Sequence, residues 1–117
     1  MSSSARFNRL APTARADLEL FQRTSDLNAL DRVVNAAIEA QVVPAPTTPV
    51  ASLPEDTPLL DGTGLSSLDV IELVFLMEEM LDLSISNQEV VSLRTLKDLR
   101  SFVRRKAGAK RGLAVPA

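Results

Sequence analysis

Gly64-Leu65-Ser66-Ser67-Leu68-Asp69-Val70-Ile71-Glu72-Leu73-Val74 marks the point where a loop should give way to a long helix. Ser66 can serve as N-cap, with Asp69 three residues on completing a capping-box-like pair. Ser67 then occupies the first helical position. Its hydroxyl faces backbone N–H groups that have no partner within the helix, at the positive end of the helix dipole. A phosphate ester on that hydroxyl would be stabilised there. The plainer alternative is that both serines only cap the helix, as serines before helices commonly do.

Downstream of this start, the periodicity predicts a helix from about Ser67 to Leu81. Val70, Leu73, Val74, Met77, Met80 and Leu81 fall on one arc, and Asp69, Glu72, Glu78, Glu79 and Asp82 on the opposite one. Ile71 and Phe75 land inside the acidic arc, so two bulky apolar side chains are expected on the charged face. Either they pack against a loop, or they form a docking patch of apolar groups ringed by charge. Ser86 should then cap a short helical turn through about Val91. Thr95, with Asp98 three residues later, should cap a final helix burying Leu96, Leu99, Phe102 and Val103, with Arg104, Arg105 and Lys106 in its last turn.

Upstream, Leu27, Leu30, Val33, Val34, Ala37 and Ile38 recur at helical spacing. The expected cap is Thr24 or Ser25, with Asp26 in the first turn and an end near Gln41. Residues 42–65 form a long connection with Pro44, Pro46, Pro49, Pro54 and Pro58, anchored by Leu53, Leu59, Leu60 and Leu65. Residues 1–24 read as an extension, partly ordered or holding a short helix from Ala14 to Phe21 that buries Leu18, Leu20 and Phe21. Residues 107–117 show no pattern and read as a flexible basic tail. Nothing argues for strands, repeats or a second domain. The fold class is all-α: a small bundle of three main helices plus one short one, with a long loop after the first.

The composition removes many chemistries. With no cysteine there is no disulfide, thiolate nucleophile or thiolate metal site, and with no histidine the commonest general base and metal ligand are missing. Tyr and Trp are absent too, which leaves little to stack on bases. No apolar run is long enough for a transmembrane helix, and no signal peptide is legible, so a cytoplasmic protein is expected. The residues available argue against an enzyme. Charge is segregated: Glu55 to Leu93 holds nine acids and no base, whereas Arg94 to the end holds eight bases and one acid. An acidic face of this size attracts basic partner surfaces and repels nucleic acid.

Taken together, amphipathic helix, long loop, Ser-Leu-Asp at the start of an acidic helix, short helix and final helix resemble the acyl carrier protein family, including the carrier domains of polyketide and peptide synthases. The resemblance covers roughly Ser25 to Arg105. Its most specific parts are the run from Gly64 to Val74, the Glu78-Glu79 pair and Thr95-Leu96-Lys97-Asp98-Leu99. It implies a carrier domain over residues 25–106 and a 4′-phosphopantetheine arm on Ser67, transferred from coenzyme A by a separate phosphopantetheinyl transferase. The arm would supply the thiol that the chain lacks, and acyl or aminoacyl groups would ride on it as thioesters.

The resemblance further implies that Asp69, Glu72, Glu78 and Glu79 are recognition acids, and that Ile71 and Phe75 are the apolar positions partners contact. Those partners would be the transferase and loading ligases, synthases and acyltransferases with basic docking surfaces, in lipid (including fatty acid), polyketide or other secondary-metabolite biosynthesis. A monomer is expected, without nucleic acid or stable membrane insertion. Ser66 stands where the family usually has an acid, and Asn87 and Gln88 where acids are frequent, which points to a specialised member. Two rival readings stand beside this one. The first is an unmodified carrier-like adaptor that binds basic proteins through the acidic helix. The second is a nucleic-acid or membrane module using the basic segment from Arg94 to Arg111.

Overall fold

A computed structural model describes residues 12–42 and 48–112. Its helices are α1 (Pro12–Thr24), α2 (Leu27–Gln41), α3 (Ser67–Leu81), α4 (Asn87–Val91) and α5 (Leu96–Lys110), with a 3-10 turn at Val50–Ser52 in the long connection. Among the described residues the expected all-α bundle holds four long helices and one short. That is one long helix more than the three expected, because Pro12–Thr24 forms a full helix. Among the described residues only two isolated bridges occur, Pro58 with Thr95 and Leu60 with Leu65.

α1 is longer than the segment expected from Ala14 to Phe21. Ala14, Leu18 and Phe21 share one face and are buried in the common core, whereas Leu20, expected inside, is only half-buried. The link to α2 differs as well. Ser25 takes a left-handed φ of 61°, and the cap is Asp26 rather than Thr24 or Ser25. Asp26 Oδ1 accepts the Asn28 N–H at 2.9 Å and the Ala29 N–H at 3.4 Å. A carboxylate satisfies two first-turn donors and answers the dipole, which neither neighbouring hydroxyl could match.

α2 sits at the centre of the bundle. Leu30, Val33, Val34, Ala37 and Ile38 are fully buried. The connection from α2 to α3 is tied to it by side chains: Glu39 Oε2 accepts the Val50 N–H at 2.9 Å, and Arg100 bridges Asn35 Oδ1 (2.7 Å) and the Val50 carbonyl (3.4 Å). Of the four leucines expected to anchor this loop, Leu59 and Leu65 are buried and Leu53 is half-buried. Leu60 is the exception and faces outward. Pro44 and Pro46 lie outside the described residues.

In α3 the core arc is as expected, with Leu76 fully buried beside it and Val70 only half-buried. α4 and α5 both start on complete capping boxes, Ser86 with Glu89 and Thr95 with Asp98. α5 continues four residues past its expected last turn because Ala107 and Gly108 still face the core. Beyond it the Arg111 guanidinium lies 5.0 Å from the Phe21 ring centre, donates to Ser25 Oγ at 2.8 Å and bonds the Gln22 carbonyl. Arg111 thereby ties the end of α5 to α1.

Candidate functional site

Asp61 N–H bonds the Leu65 carbonyl at 3.0 Å, and Gly64 N–H bonds the Asp61 carbonyl at 3.1 Å, closing a tight turn just before α3. Gly64 holds φ +93°, and a Cβ there would lie 3.1 Å from Val42 Cγ1, so glycine is what lets the turn close. The turn delivers the chain to Ser66 in an extended conformation. Ser66 Oγ accepts the Asp69 N–H at 3.2 Å while Asp69 Oδ2 accepts the Ser66 N–H at 2.9 Å. This is a complete capping box, with Ser66 as its cap.

Ser66 is engaged as the cap. Ser67, one residue on, is exposed, and its hydroxyl has no hydrogen-bond partner among the described residues. The N–H groups of Ser67 and Leu68 precede the first intrahelical bond, so they face outward with the positive end of the dipole. Next to the Ser67 hydroxyl opens a groove of about 400 Å³ between α3, α4 and the 58–60 segment. Its walls are Leu59, Leu60, Val70, Ile71, Val91 and Leu93 with Pro58 and Val90, and its polar groups are Ser67 and Arg94. Through Ile71 and Val90 it adjoins a smaller recess of about 180 Å³ reaching Phe75 and Ile85.

Five large apolar side chains are exposed among the described residues: Leu60, Leu68, Ile71, Phe75 and Val91. Four line these two hollows and Leu68 adjoins Ser67, so the exposed apolar surface is gathered at one end of the molecule. Ile71 and Phe75 are 48% and 46% exposed, so packing under a loop does not account for them. The acids on α3 divide. Asp69 is half-buried in the capping box, and Glu78 Oε2 accepts the Ile85 N–H at 3.0 Å, holding the α3–α4 link just before the Ser86 cap. Glu79 is exposed and Glu72 half-buried on the same helix.

The acidic stretch is also less uncompensated than its sequence implies, because α5 folds back on it. Lys106 pairs with Glu89 at 3.0 Å, and Lys110 with Asp82 at 2.6 Å. The Lys110 hydrogen bond, reinforced by its charge, holds the Asp82 carboxyl below the usual carboxylate range. The Ser86 N–H, and then Lys106, do the same for Glu89. Arg104 makes a two-point bond to Asp31 at 2.9 and 2.7 Å, which raises its pKa further. Five of the eight basic groups from Arg94 onward, Arg100, Arg104, Lys106, Lys110 and Arg111, are thus engaged by acceptors within the fold.

The far wall of the groove is not among the expected site residues: Val90 and Leu93 carry no expectation, Val91 only ends the short helical turn, Arg94 only opens the basic segment, and Leu60 is expected inside. A signal was available: a five-residue helix carrying adjacent valines cannot bury both on one face.

The site can hold a covalent phosphodiester on Ser67 Oγ. The hydroxyl is open, N–H donors of the first turn flank it, a cation lines the same groove, and an apolar channel leads away from it. Comparison with known proteins agrees. The family described as "Phosphopantetheine attachment site" matches residues 40–103. The chain is 40% identical over 50 residues to an acyl carrier protein of Bdellovibrio bacteriovorus, which covers 43% of this chain and 64% of that protein. It is 37% identical over 51 residues to one from Syntrophobacter fumaroxidans, covering 44% and 63%. A third, from Solidesulfovibrio magneticus, is 33% identical over 58 residues, covering 50% and 74%. The match thus spans just under two thirds of the length of the first two relatives. No solved structure matches the chain. Fold, site chemistry and these similarities agree: the chain belongs to the acyl carrier protein family, whose members are non-catalytic carriers bearing covalent 4′-phosphopantetheine.

Proposed function

We propose that Ser67 is the attachment point and that this protein carries acyl or aminoacyl groups as thioesters on the arm. One observation supports this above the others. Of two adjacent serines at the mouth of α3, Ser66 is consumed by the capping box, whereas the Ser67 hydroxyl is unpaired among the described residues and opens onto the apolar groove. A transferase needs an accessible hydroxyl, and an apolar cargo needs a place out of water. The groove offers the second within reach of the first.

In this reading residues 25–106 are the carrier unit and α1 is an added helix packed on α2. Ile71 and Phe75 supply apolar contact to partners, and Asp69, Glu72, Glu78 and Glu79 supply the charge that steers basic partners onto α3. Tethering raises the local concentration of cargo at each partner's active site, so the chain needs no general base of its own. The partners are a phosphopantetheinyl transferase and enzymes that load, extend or remove the cargo, in lipid or secondary-metabolite biosynthesis within the cytoplasm. The test uses coenzyme A bearing a fluorophore on its thiol, with a broad-specificity transferase. Wild-type protein should become fluorescent and Ser67→Ala should not. Ile71→Ala and Phe75→Ala should lower kcat/KM by roughly tenfold, as expected for a loss of one to two kcal/mol of contact. Labelling of Ser67→Ala would sink the assignment.

A further inference from the structure

The wall of the groove opposite Ser67 carries one charged side chain, Arg94. Its position is set by the backbone. The Leu59 N–H bonds the Arg94 carbonyl at 2.9 Å, Pro58 bridges to Thr95, and Leu60 bridges to Leu65 two residues before Ser67. Chains paired in this way lie about 4.8 Å apart. These links hold Arg94 and the residues just before Ser67 beside the 58–60 segment, and Arg94 and Ser67 both line the one groove. Asp98 Oδ2 accepts the Arg94 N–H at 3.1 Å, which fixes the residue from the helix side.

The Arg94 guanidinium differs from five of the seven basic groups that follow it. Arg100, Arg104, Lys106, Lys110 and Arg111 are each engaged by an acceptor within the fold. Arg94 is exposed, and its side chain has no ion-pair or hydrogen-bond acceptor among the described residues. Around it the groove is apolar, and Asp61 and Asp69 flank Ser67 on the chain. A phosphodiester on Ser67 therefore enters a locally acidic region with one cation lining its groove. The two non-bridging oxygens of a phosphodiester can accept both arms of arginine's planar fork, and the pairing strengthens next to apolar walls that limit water.

We propose that Arg94 is a positioning residue for the prosthetic arm: its guanidinium pairs with the phosphodiester on Ser67 and keeps the arm over the groove between α3, α4 and the 58–60 segment. The proposal rests on the assignment of Ser67 as the attachment site. It makes arm orientation a property of the segment just before α5 as well as of the start of α3.

The test compares apo and loaded protein, each made from ¹⁵N-labelled chain with coenzyme A and a transferase, with loading verified by intact mass. The Arg94 Nε–H signal, assigned by its disappearance in Arg94→Gln, should shift and exchange more slowly on loading. The ³¹P resonance of the loaded protein should differ between wild type and Arg94→Gln at low salt, and that difference should shrink as salt is added. Arg94→Lys should recover part of the ³¹P shift, because it keeps the charge and loses the fork. Arg105→Gln, an exposed cation stacked on Phe102, should leave it unchanged. Complete loading with an unmoved Arg94 signal and identical ³¹P resonances would overturn the proposal and leave Ser67 as the site. Absence of added mass at Ser67 would overturn the attachment assignment and this inference with it.

Discussion

Replacing Ser66 by Ala removes the acceptor of the Asp69 N–H and should cost about 1 kcal/mol, read as a lower urea midpoint with an unchanged slope. Replacing Ser67 by Ala removes a hydroxyl that makes no bond among the described residues, so stability should stay within about 0.5 kcal/mol while loading is lost. Two neighbours of the same chemistry thus separate into a structural and a functional serine by one measurement each. Glu78 belongs to both groups. Its carboxylate holds the Ile85 N–H, so Glu78→Ala should destabilise the fold by about 1 kcal/mol in addition to any effect on partners. A Glu78→Ala protein with wild-type stability would show that the α3–α4 link does not depend on that bond.

At the scale of elements, α1 lies outside the matched residues 40–103. Leu18→Ala should cost about 2–5 kcal/mol and Phe21→Ala about 3–5 kcal/mol, since both are almost fully buried where α1 meets the rest of the core. Losses under about 1 kcal/mol in urea unfolding would mean that α1 is only loosely docked. The helices around the site were the most legible part of the sequence. Ser66, Ser86 and Thr95, each with an acid three residues on, announce their helices, and all three form complete capping boxes. A cap is a local device, so local sequence reveals it. The cap of α2 was misplaced by one or two residues because Thr24, Ser25 and Asp26 are all competent caps. The choice fell to the left-handed turn at Ser25, which depends on how α1 packs. Likewise the length of α5 and the outward turn of Leu60 follow from contacts across the bundle that no periodicity reports. Around the groove, the first-turn place of Ser67 and the outward faces of Ile71 and Phe75 were legible from α3 alone. Val91 and Arg94 were not, because their role arises only when the 58–60 segment pairs beside them.

For the whole molecule, charge is arranged so that α5 returns basic groups to an acidic middle. Asp82 and Glu89 titrate below the usual range when folded, so their ionised forms are favoured by folding. Their contribution is complete above the ordinary carboxylate pKa, about 4, and is lost as pH falls through the lowered folded values. Urea midpoints should therefore fall on moving from about pH 6 to about pH 3, and less steeply in Lys110→Ala and Lys106→Ala proteins, which lack the pairing cations. Equal slopes in all three would contradict the assignment. The remaining acids repel one another across α3 and its flanks, so modest salt or divalent cation should raise the melting temperature. A melting temperature that fell steadily with salt would show that the pairs to α5 outweigh that repulsion.

The most direct measurement is intact and fragment mass spectrometry of wild type, Ser66→Ala and Ser67→Ala after incubation with coenzyme A and a phosphopantetheinyl transferase. The account predicts one added phosphopantetheine in wild type and in Ser66→Ala, located on Ser67, and none in Ser67→Ala. An added group on Ser67→Ala, or its location at Ser66 in the wild type, would contradict it.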